Sequence, residues 1–86
     1  MATITVKKLA DYQFEVSVDS RTSTSHQVTV SEQYAKKLIG NRASVEILIH
    51  DSFEFLLASE PNTSILRNFD LSVIAQYFPE YERLIT

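Results

Sequence analysis

The chain has 86 residues and a formal net charge of −3; hydrophobic side chains make up 44% of it, and it contains no cysteine. This length and composition predict one globular domain, and the lack of cysteine excludes disulfide bonds and thiolate zinc sites. The acidic charge argues against a general binder of nucleic-acid phosphates. No apolar run suits a transmembrane span or a signal peptide, so we expect a cytoplasmic protein without membrane contact.

The first 30 residues carry apolar side chains at alternate positions, a spacing typical of strands with one buried face. We predict strands over residues 2–8, 12–19 and 23–30, with a reversal at residues 9–11. The start of the third strand is polar on both faces, which favours the edge of the sheet. His26 lies in this strand. Because no glycines surround the nearby serines to form a nucleophile elbow, we interpret this histidine as a polar strand residue.

After the third strand the apolar residues fall three and four positions apart, which predicts helices. Ser31 and Ser44 are expected to cap the first two helices, and Gly40 suits the left-handed position that ends the first. The predicted helices and helical turns cover residues 32–39, 45–59, 64–68, 71–78 and 80–84. The fold class is therefore α+β, with one domain over residues 1–86. In it an N-terminal three-stranded antiparallel sheet, the β-meander of residues 1–30, is followed by three to four helices in a helical half, residues 31–86.

The predicted helix over residues 45–59 is apolar on most of its circumference, which indicates burial on nearly all sides. A sheet covers only one of those sides, so the C-terminal helices or a second subunit must cover the rest. We predict a homodimer, with a protein partner as a further possibility. The interface candidates are Ile47, Phe55, Tyr77 and Tyr81. An aromatic group near the end of the chain has two interpretations, a pocket or peptide-binding surface or part of the core, which its helical spacing favours: Phe69, Tyr77, Phe78 and Tyr81.

One polar line follows the same predicted helix, at Glu46, His50 and Glu54. A spacing of four places all three on one helical face, where carboxylates and an imidazole can hold a divalent metal or act as a base. The sequence signals no fourth ligand, and charged helix faces are usually only solvated. We therefore predict no metal, no cofactor, no catalytic residue and a protein that is not an enzyme. A small enzyme or metal protein built on His50 is a third hypothesis.

Residues 26–58 run from a short polar strand into two capped helices, an order that resembles the ribbon-helix-helix DNA-binding fold. The resemblance implies a strand that pairs across a dimer and places Gln27 and Thr29 in the major groove. It also implies that Arg42 and Ser44 lie beside a phosphate at the start of the second helix. A DNA-binding regulator or antitoxin of this kind is the alternative to a protein-binding function.

The second half of the chain contains a series of apolar motifs: Phe53-Glu54-Phe55-Leu56-Leu57, Glu60-Pro61, Ser64-Ile65-Leu66, Phe69-Asp70-Leu71, Ile74 and Tyr77-Phe78-Pro79-Glu80-Tyr81. This pattern resembles a small family of bacterial proteins of uncharacterised function. The resemblance implies a bacterial cytosolic protein without catalytic residues. The apolar surplus of the central helix and the missing catalytic motifs make a non-enzymatic protein-interaction or dimerisation module the leading hypothesis.

Overall fold

The computed structural model describes residues 2–86, so Met1, the first residue of the predicted domain, lies outside the described part. The strands and helices do not all follow the predicted order, because a fourth strand lies between two of the helices. Their order along the chain is β1 (Thr3–Ala10), β2 (Gln13–Asp19), β3 (Thr24–Thr29), α1 (Glu32–Ile39), α2 (Val45–Leu57), a 3-10 turn (Asn62–Ser64), β4 (Asn68–Asp70), α3 (Val73–Tyr77) and α4 (Tyr81–Ile85). Together they form one small α+β domain.

The sheet has the strand order β1-β2-β3-β4. The first two pairings are antiparallel, as predicted, but β4 pairs with β3 in parallel and places Phe69 opposite Val28. The expectation of three strands, all antiparallel, is therefore wrong, as is the helical turn predicted over residues 64–68. The apolar spacing around Phe69 suits a helix, whereas the observed strand is held by distant backbone groups. Its flanking bonds run from Gln27 N to Arg67 O at 2.8 Å and from Leu71 N to Thr29 O at 2.7 Å.

The first hairpin turns later than predicted. β1 continues to Ala10, which pairs with Gln13, so the reversal consists of Asp11 and Tyr12. Tyr12 has a φ of +61° and belongs to the turn rather than to the buried face of β2. A side chain rarely adopts this left-handed conformation without compensation. Here the Tyr12 carbonyl accepts a hydrogen bond from Val30 N at 3.1 Å, which ties the turn to the end of the third strand.

The core lies between the inner face of the sheet and α2. Alternate residues of β2 and β3 are buried there, and they meet the buried side of the helix. The buried apolar residues of these three elements are Phe14, Val16, Val18, Val28, Leu48, Ile49, Phe53 and Leu56. Because α1 and α4 also pack against α2, one copy of the chain already covers most of this helix. A second subunit is therefore not needed to cover most of α2, although Ile47 remains 43% exposed.

The helix caps follow the sequence closely. The Ser31 hydroxyl accepts a hydrogen bond from Tyr34 N at 3.1 Å, and the Ser44 hydroxyl accepts one from Ile47 N at 3.3 Å. Gly40 ends α1 with a φ of +59°, where a side chain would be strained. The later helices differ somewhat from the prediction: α2 ends at Leu57 rather than at residue 59, α3 covers Val73–Tyr77 rather than residues 71–78, and α4 is shifted by one residue from the predicted 80–84. None of the helices within residues 2–86 is long and apolar enough to cross a bilayer.

The interface candidate Tyr81 is a core residue, with no exposed surface. Ser52 Oγ donates to the Leu48 carbonyl at 2.8 Å, so it is free to accept from the Tyr81 hydroxyl at 2.6 Å. Burial raises the pKa of Tyr81 to about 12, so the phenol is neutral and keeps its proton to donate.

We expect Tyr81→Phe to destabilise the protein by about 1 kcal/mol, the usual net value of one buried hydrogen bond. The midpoint of urea unfolding measures this loss. Tyr77→Phe is the matched control, because the Tyr77 side chain is largely exposed and its loss of a hydroxyl should leave the midpoint unchanged. An equal midpoint for Tyr81→Phe and the wild type would show that the Ser52 contact contributes nothing.

Candidate functional site

An apolar groove of about 400 Å³ opens at the side of the domain where the end of α2, the 3-10 turn, the approach to β4 and α3 meet. Ten residues line it: Leu56, Glu60, Ser64, Ile65, Leu66, Phe69, Val73, Ile74, Tyr77 and Phe78. Eight of the ten are apolar or aromatic. A concave surface of this size and character is what proteins commonly use to bind an apolar ligand or side chain.

The floor and the mouth of the groove differ in exposure. Ile65 and Ile74 are buried and extend the core outward. By contrast Leu66 is 49% exposed and Tyr77 is 70% exposed, so two large side chains are exposed to solvent at the mouth of the groove. Full burial of a large apolar side chain contributes about 1.5–3 kcal/mol, and partly exposed side chains such as these gain only part of it. Exposed apolar residues that cluster around a concavity mark a binding surface more often than scattered ones do.

Three aromatic rings in contact form the wall behind the groove. The Phe78 ring meets the Phe55 ring edge-on, with centroids 5.6 Å apart, and Phe55 in turn lies 5.3 Å from the ring of Tyr81. The interface candidate Phe55 is therefore half-buried inside the domain, while Tyr77 does lie at the surface. The interpretation of the aromatic group as core thus holds for Tyr81 and for Phe69, which is buried although it also lines the groove. Tyr77 is exposed and Phe78 half-buried, and both line the groove.

Behind the lining on the β4 side lies a buried polar chain centred on His26, which has no exposed surface. His26 Nδ1 is 2.8 Å from the Leu66 carbonyl, and Nε2 is 2.8 Å from Thr24 Oγ1. A carbonyl only accepts, so Nδ1 carries the proton and Nε2 accepts from the Thr24 hydroxyl. Thr24 Oγ1 accepts in turn from Asn62 Nδ2 at 2.9 Å. Every donor in this chain therefore has an acceptor when the imidazole is neutral.

This network corrects the interpretation of the third strand. β3 lies between β2 and β4 rather than at the edge of the sheet, and Thr24 and His26 point into the core. Burial lowers the pKa of His26; the nearby charge of Arg67 acts in the same direction, and the hydrogen bond to Leu66 opposes it. Sequence reasoning missed this role because the Leu66 carbonyl, which accepts from His26, lies 40 positions away along the chain.

The predicted metal-ligand line is only partly assembled. His50 Nδ1 lies 3.5 Å from Glu54 Oε1 and 3.4 Å from Asp51 Oδ1. Ligand atoms of these three residues lie within 4.8 Å of one another, whereas Glu46 is not in the group and Asp51 takes its place. Arg42 Nε already donates to Asp51 Oδ2 at 2.8 Å and holds the pKa of this carboxyl below its usual value. A cation would have to compete with the guanidinium for that carboxylate.

Of the residues that the resemblance assigns to DNA, Thr29, Arg42 and Ser44 make side-chain hydrogen bonds within the domain. Thr29 Oγ1 donates to Asp70 Oδ1 at 3.3 Å, while Gln27 is exposed on the outer face of the sheet. Ser44 caps α2. The Arg42 guanidinium donates to Asp51 on α2 and to backbone carbonyls at the ends of α1 and α4. Since β2 and β4 occupy both edges of β3, that strand is not open to the pairing across a dimer that the ribbon-helix-helix resemblance implies.

Comparison of the chain with protein-family models, with curated proteins and with solved structures finds no match in any of the three. The two resemblances noted in the sequence therefore stay hypotheses, and the site is interpreted from its own geometry.

Proposed function

We propose that the protein is a non-enzymatic, cytoplasmic binding module whose apolar groove takes one face of an amphipathic helix from another protein. The observation that carries this proposal is the exposure of Leu66 and Tyr77 beside the groove floor. A helix that lays an apolar stripe into a hydrophobic groove is a recurrent mode of peptide recognition. Such a helix would bury the Leu66 and Tyr77 side chains, which are exposed in the free domain.

The charge at the groove lining supports a basic partner. Of the ten residues that line the groove, one is charged, and it is the acidic Glu60. Complementary charge accelerates encounter and suppresses wrong partners. We therefore expect the partner helix to carry lysine or arginine beside its apolar stripe.

A second copy of this chain fits the groove less well. The apolar sides of α1 and α2 are already packed in its own core, so neither offers a free apolar stripe. Two grooves placed face to face in a symmetric dimer would bring the two Glu60 carboxylates onto one interface, because a two-fold interface pairs each patch with itself. The homodimer expected from the sequence is thus the competing outcome of the test.

The test selects binders from a phage-displayed library of random peptides of about 16 residues, long enough for roughly four helical turns. We expect the selected peptides to share apolar residues at helical spacing with lysine or arginine between them. Bound peptide should shift the amide resonances of Leu66, Val73 and Tyr77. Tyr77→Glu should weaken the affinity at least about tenfold, equivalent to 1.4 kcal/mol.

Leu84→Glu is the matched control, because Leu84 is also exposed but does not line the groove. This variant should bind the peptides as the wild type does. Peptides without the pattern, resonance shifts confined to other surfaces, or equal losses in both variants would contradict the proposal. Sedimentation of the free protein as a dimer that Tyr77→Glu dissociates would assign the groove to a second copy instead.

A further inference from the structure

We infer that the groove wall at Leu66 is held by a latch that the neutral side chain of His26 closes and mild acid opens, so that a bound helix is released on acidification. The release rests on the proposed function, whereas the latch itself does not. Here the latch means the hydrogen-bonded chain Asn62–Thr24–His26–Leu66.

The latch is one of several contacts that join β3 to the segment between α2 and β4; the backbone bond from Gln27 N to Arg67 O is another. His26 and Thr24 belong to β3, in the middle of the sheet, and Leu66 and Asn62 belong to the segment between α2 and β4. Asn62 Nδ2 also donates to the Thr22 carbonyl at 2.7 Å. This segment contributes Ser64, Ile65 and Leu66 to the groove. The position of one groove wall therefore depends on side-chain contacts to the sheet.

Protonation of His26 breaks the pattern of donors and acceptors in the latch. The charged ring would carry a hydrogen on Nε2 that points at Thr24 Oγ1, 2.8 Å away. The Thr24 hydroxyl hydrogen would then lose its acceptor, in a position that is almost fully buried. A buried donor without an acceptor costs about 1–3 kcal/mol, and the buried imidazolium loses its hydration as well.

The surroundings of His26 offer no compensating negative charge among the described residues that contact it. β2 places Val16 opposite it, α2 places the Phe53 ring 5.4 Å from the imidazole, and the segment before β4 brings the positive charge of Arg67. The burial of the ring and the positive charge of Arg67 both favour the neutral form of His26 over the charged one.

The direction of the pH dependence follows from these contacts. The pKa of His26 in the closed latch lies below its usual value of 6.5, so the open state binds more protons once the pH falls below 6.5. The stability of the closed latch is therefore complete above that value and declines as the pH falls toward the pKa of the closed form. In this window the opening equilibrium rises by up to about tenfold per pH unit.

Hydrogen–deuterium exchange at about pH 7.5 and about pH 5.5, corrected for the intrinsic rates, tests the latch without any ligand. Asp51 and Glu82 do not titrate in this range, because their pKa values lie below the usual ones. We expect the protection factors of residues 62–71 to fall about tenfold at the lower pH, while those of β1 and β2 stay unchanged. The control His50→Gln removes the other imidazole and should behave as the wild type.

His26→Leu supplies the second variant, since it cannot titrate and should abolish the pH dependence of residues 62–71. Unchanged protection in the wild type, or equal loss over the whole chain, would overturn the latch. The same pH dependence in His26→Leu would also overturn the latch.

The release is tested with the peptides. Peptides selected at neutral pH should bind more weakly at about pH 5.5. Peptides that bind equally at both values would overturn the release alone, and failure to select any peptide would refute the proposed function while the exchange experiment still decides the latch.

Discussion

Replacing Phe53 with alanine is expected to destabilise the protein by about 3–5 kcal/mol. The Phe53 side chain has no exposed surface and lies at the centre of the contact between α2 and the sheet. Its ring is 5.4 Å from that of His26 and 6.0 Å from that of Phe69. Truncation would leave a cavity bordered by β3 and β4, and a rigid core cannot close such a cavity completely.

Urea unfolding followed by circular dichroism measures this loss. Glu54→Ala is the neighbouring control: Glu54 is exposed on the same helix, and its replacement should change the free energy of unfolding by less than about 0.5 kcal/mol. A loss of less than about 1 kcal/mol for Phe53→Ala would show that α2 does not form the centre of the core.

Replacing Arg42 with alanine is expected to cost about 2–3 kcal/mol, because its guanidinium joins the ends of α1 and α4 to Asp51 in the middle of α2. Nε donates to Asp51 on α2 at 2.8 Å, Nη2 donates to the Ile85 carbonyl at the end of α4 at 2.8 Å, and Nη1 donates to the carbonyls of Leu38 and Ile39 at the end of α1 at 3.3 and 3.2 Å. The loss would free these four groups at once. The Arg42 side chain is only 20% exposed, so water replaces the lost hydrogen bonds incompletely.

Two comparisons separate this role from a general effect of charge. Arg42→Lys should recover little stability, since a lysine ammonium cannot present the planar fork that reaches groups in three directions. Lys37→Ala removes an exposed charge from the same region and should cost less than about 1 kcal/mol. Thermal or urea unfolding at neutral pH ranks the three variants, and a Lys37→Ala loss as large as that of Arg42→Ala would refute the interpretation.

The Arg42 prediction includes a pH dependence. The hydrogen bond from Arg42 lowers the pKa of Asp51 below its usual value of 3.8, so the unfolded chain takes up a proton first as the pH falls. The stabilisation is present above pH 3.8 and is lost as the pH falls through the pKa of the folded state. The difference between the wild type and Arg42→Ala should therefore narrow below pH 3.8.

Local signals in the sequence predicted the local parts of the fold. The alternation in Phe14, Val16 and Val18 placed β2 on the core, and the serines at positions 31 and 44 marked the starts of α1 and α2 correctly. These features depend on residues within one strand or one helical turn, where side-chain spacing and backbone hydrogen bonds decide the structure.

The features that the sequence did not reveal depend on contacts between distant residues. β4 is three residues long, too short to show alternation, and its conformation comes from pairing with β3. The ribbon-helix-helix resemblance places Arg42 beside a phosphate, whereas in the structure it donates to the Ile85 carbonyl, 43 positions away. The sequence indicates a pocket only as an alternative for the aromatic group, since the groove is lined by residues from elements that are brought together by the tertiary fold.

The parallel pairing of β4 with β3 also has a consequence for the order in which the chain folds. β1, β2 and β3 are joined by short turns, so they can form hairpins locally. Val28 and Phe69, by contrast, pair across about 40 intervening residues. Closing so long a loop costs entropy before any contact repays it. We therefore expect a hairpin nucleus to form early, β4 to dock last, and the same segment to detach first when the native state fluctuates.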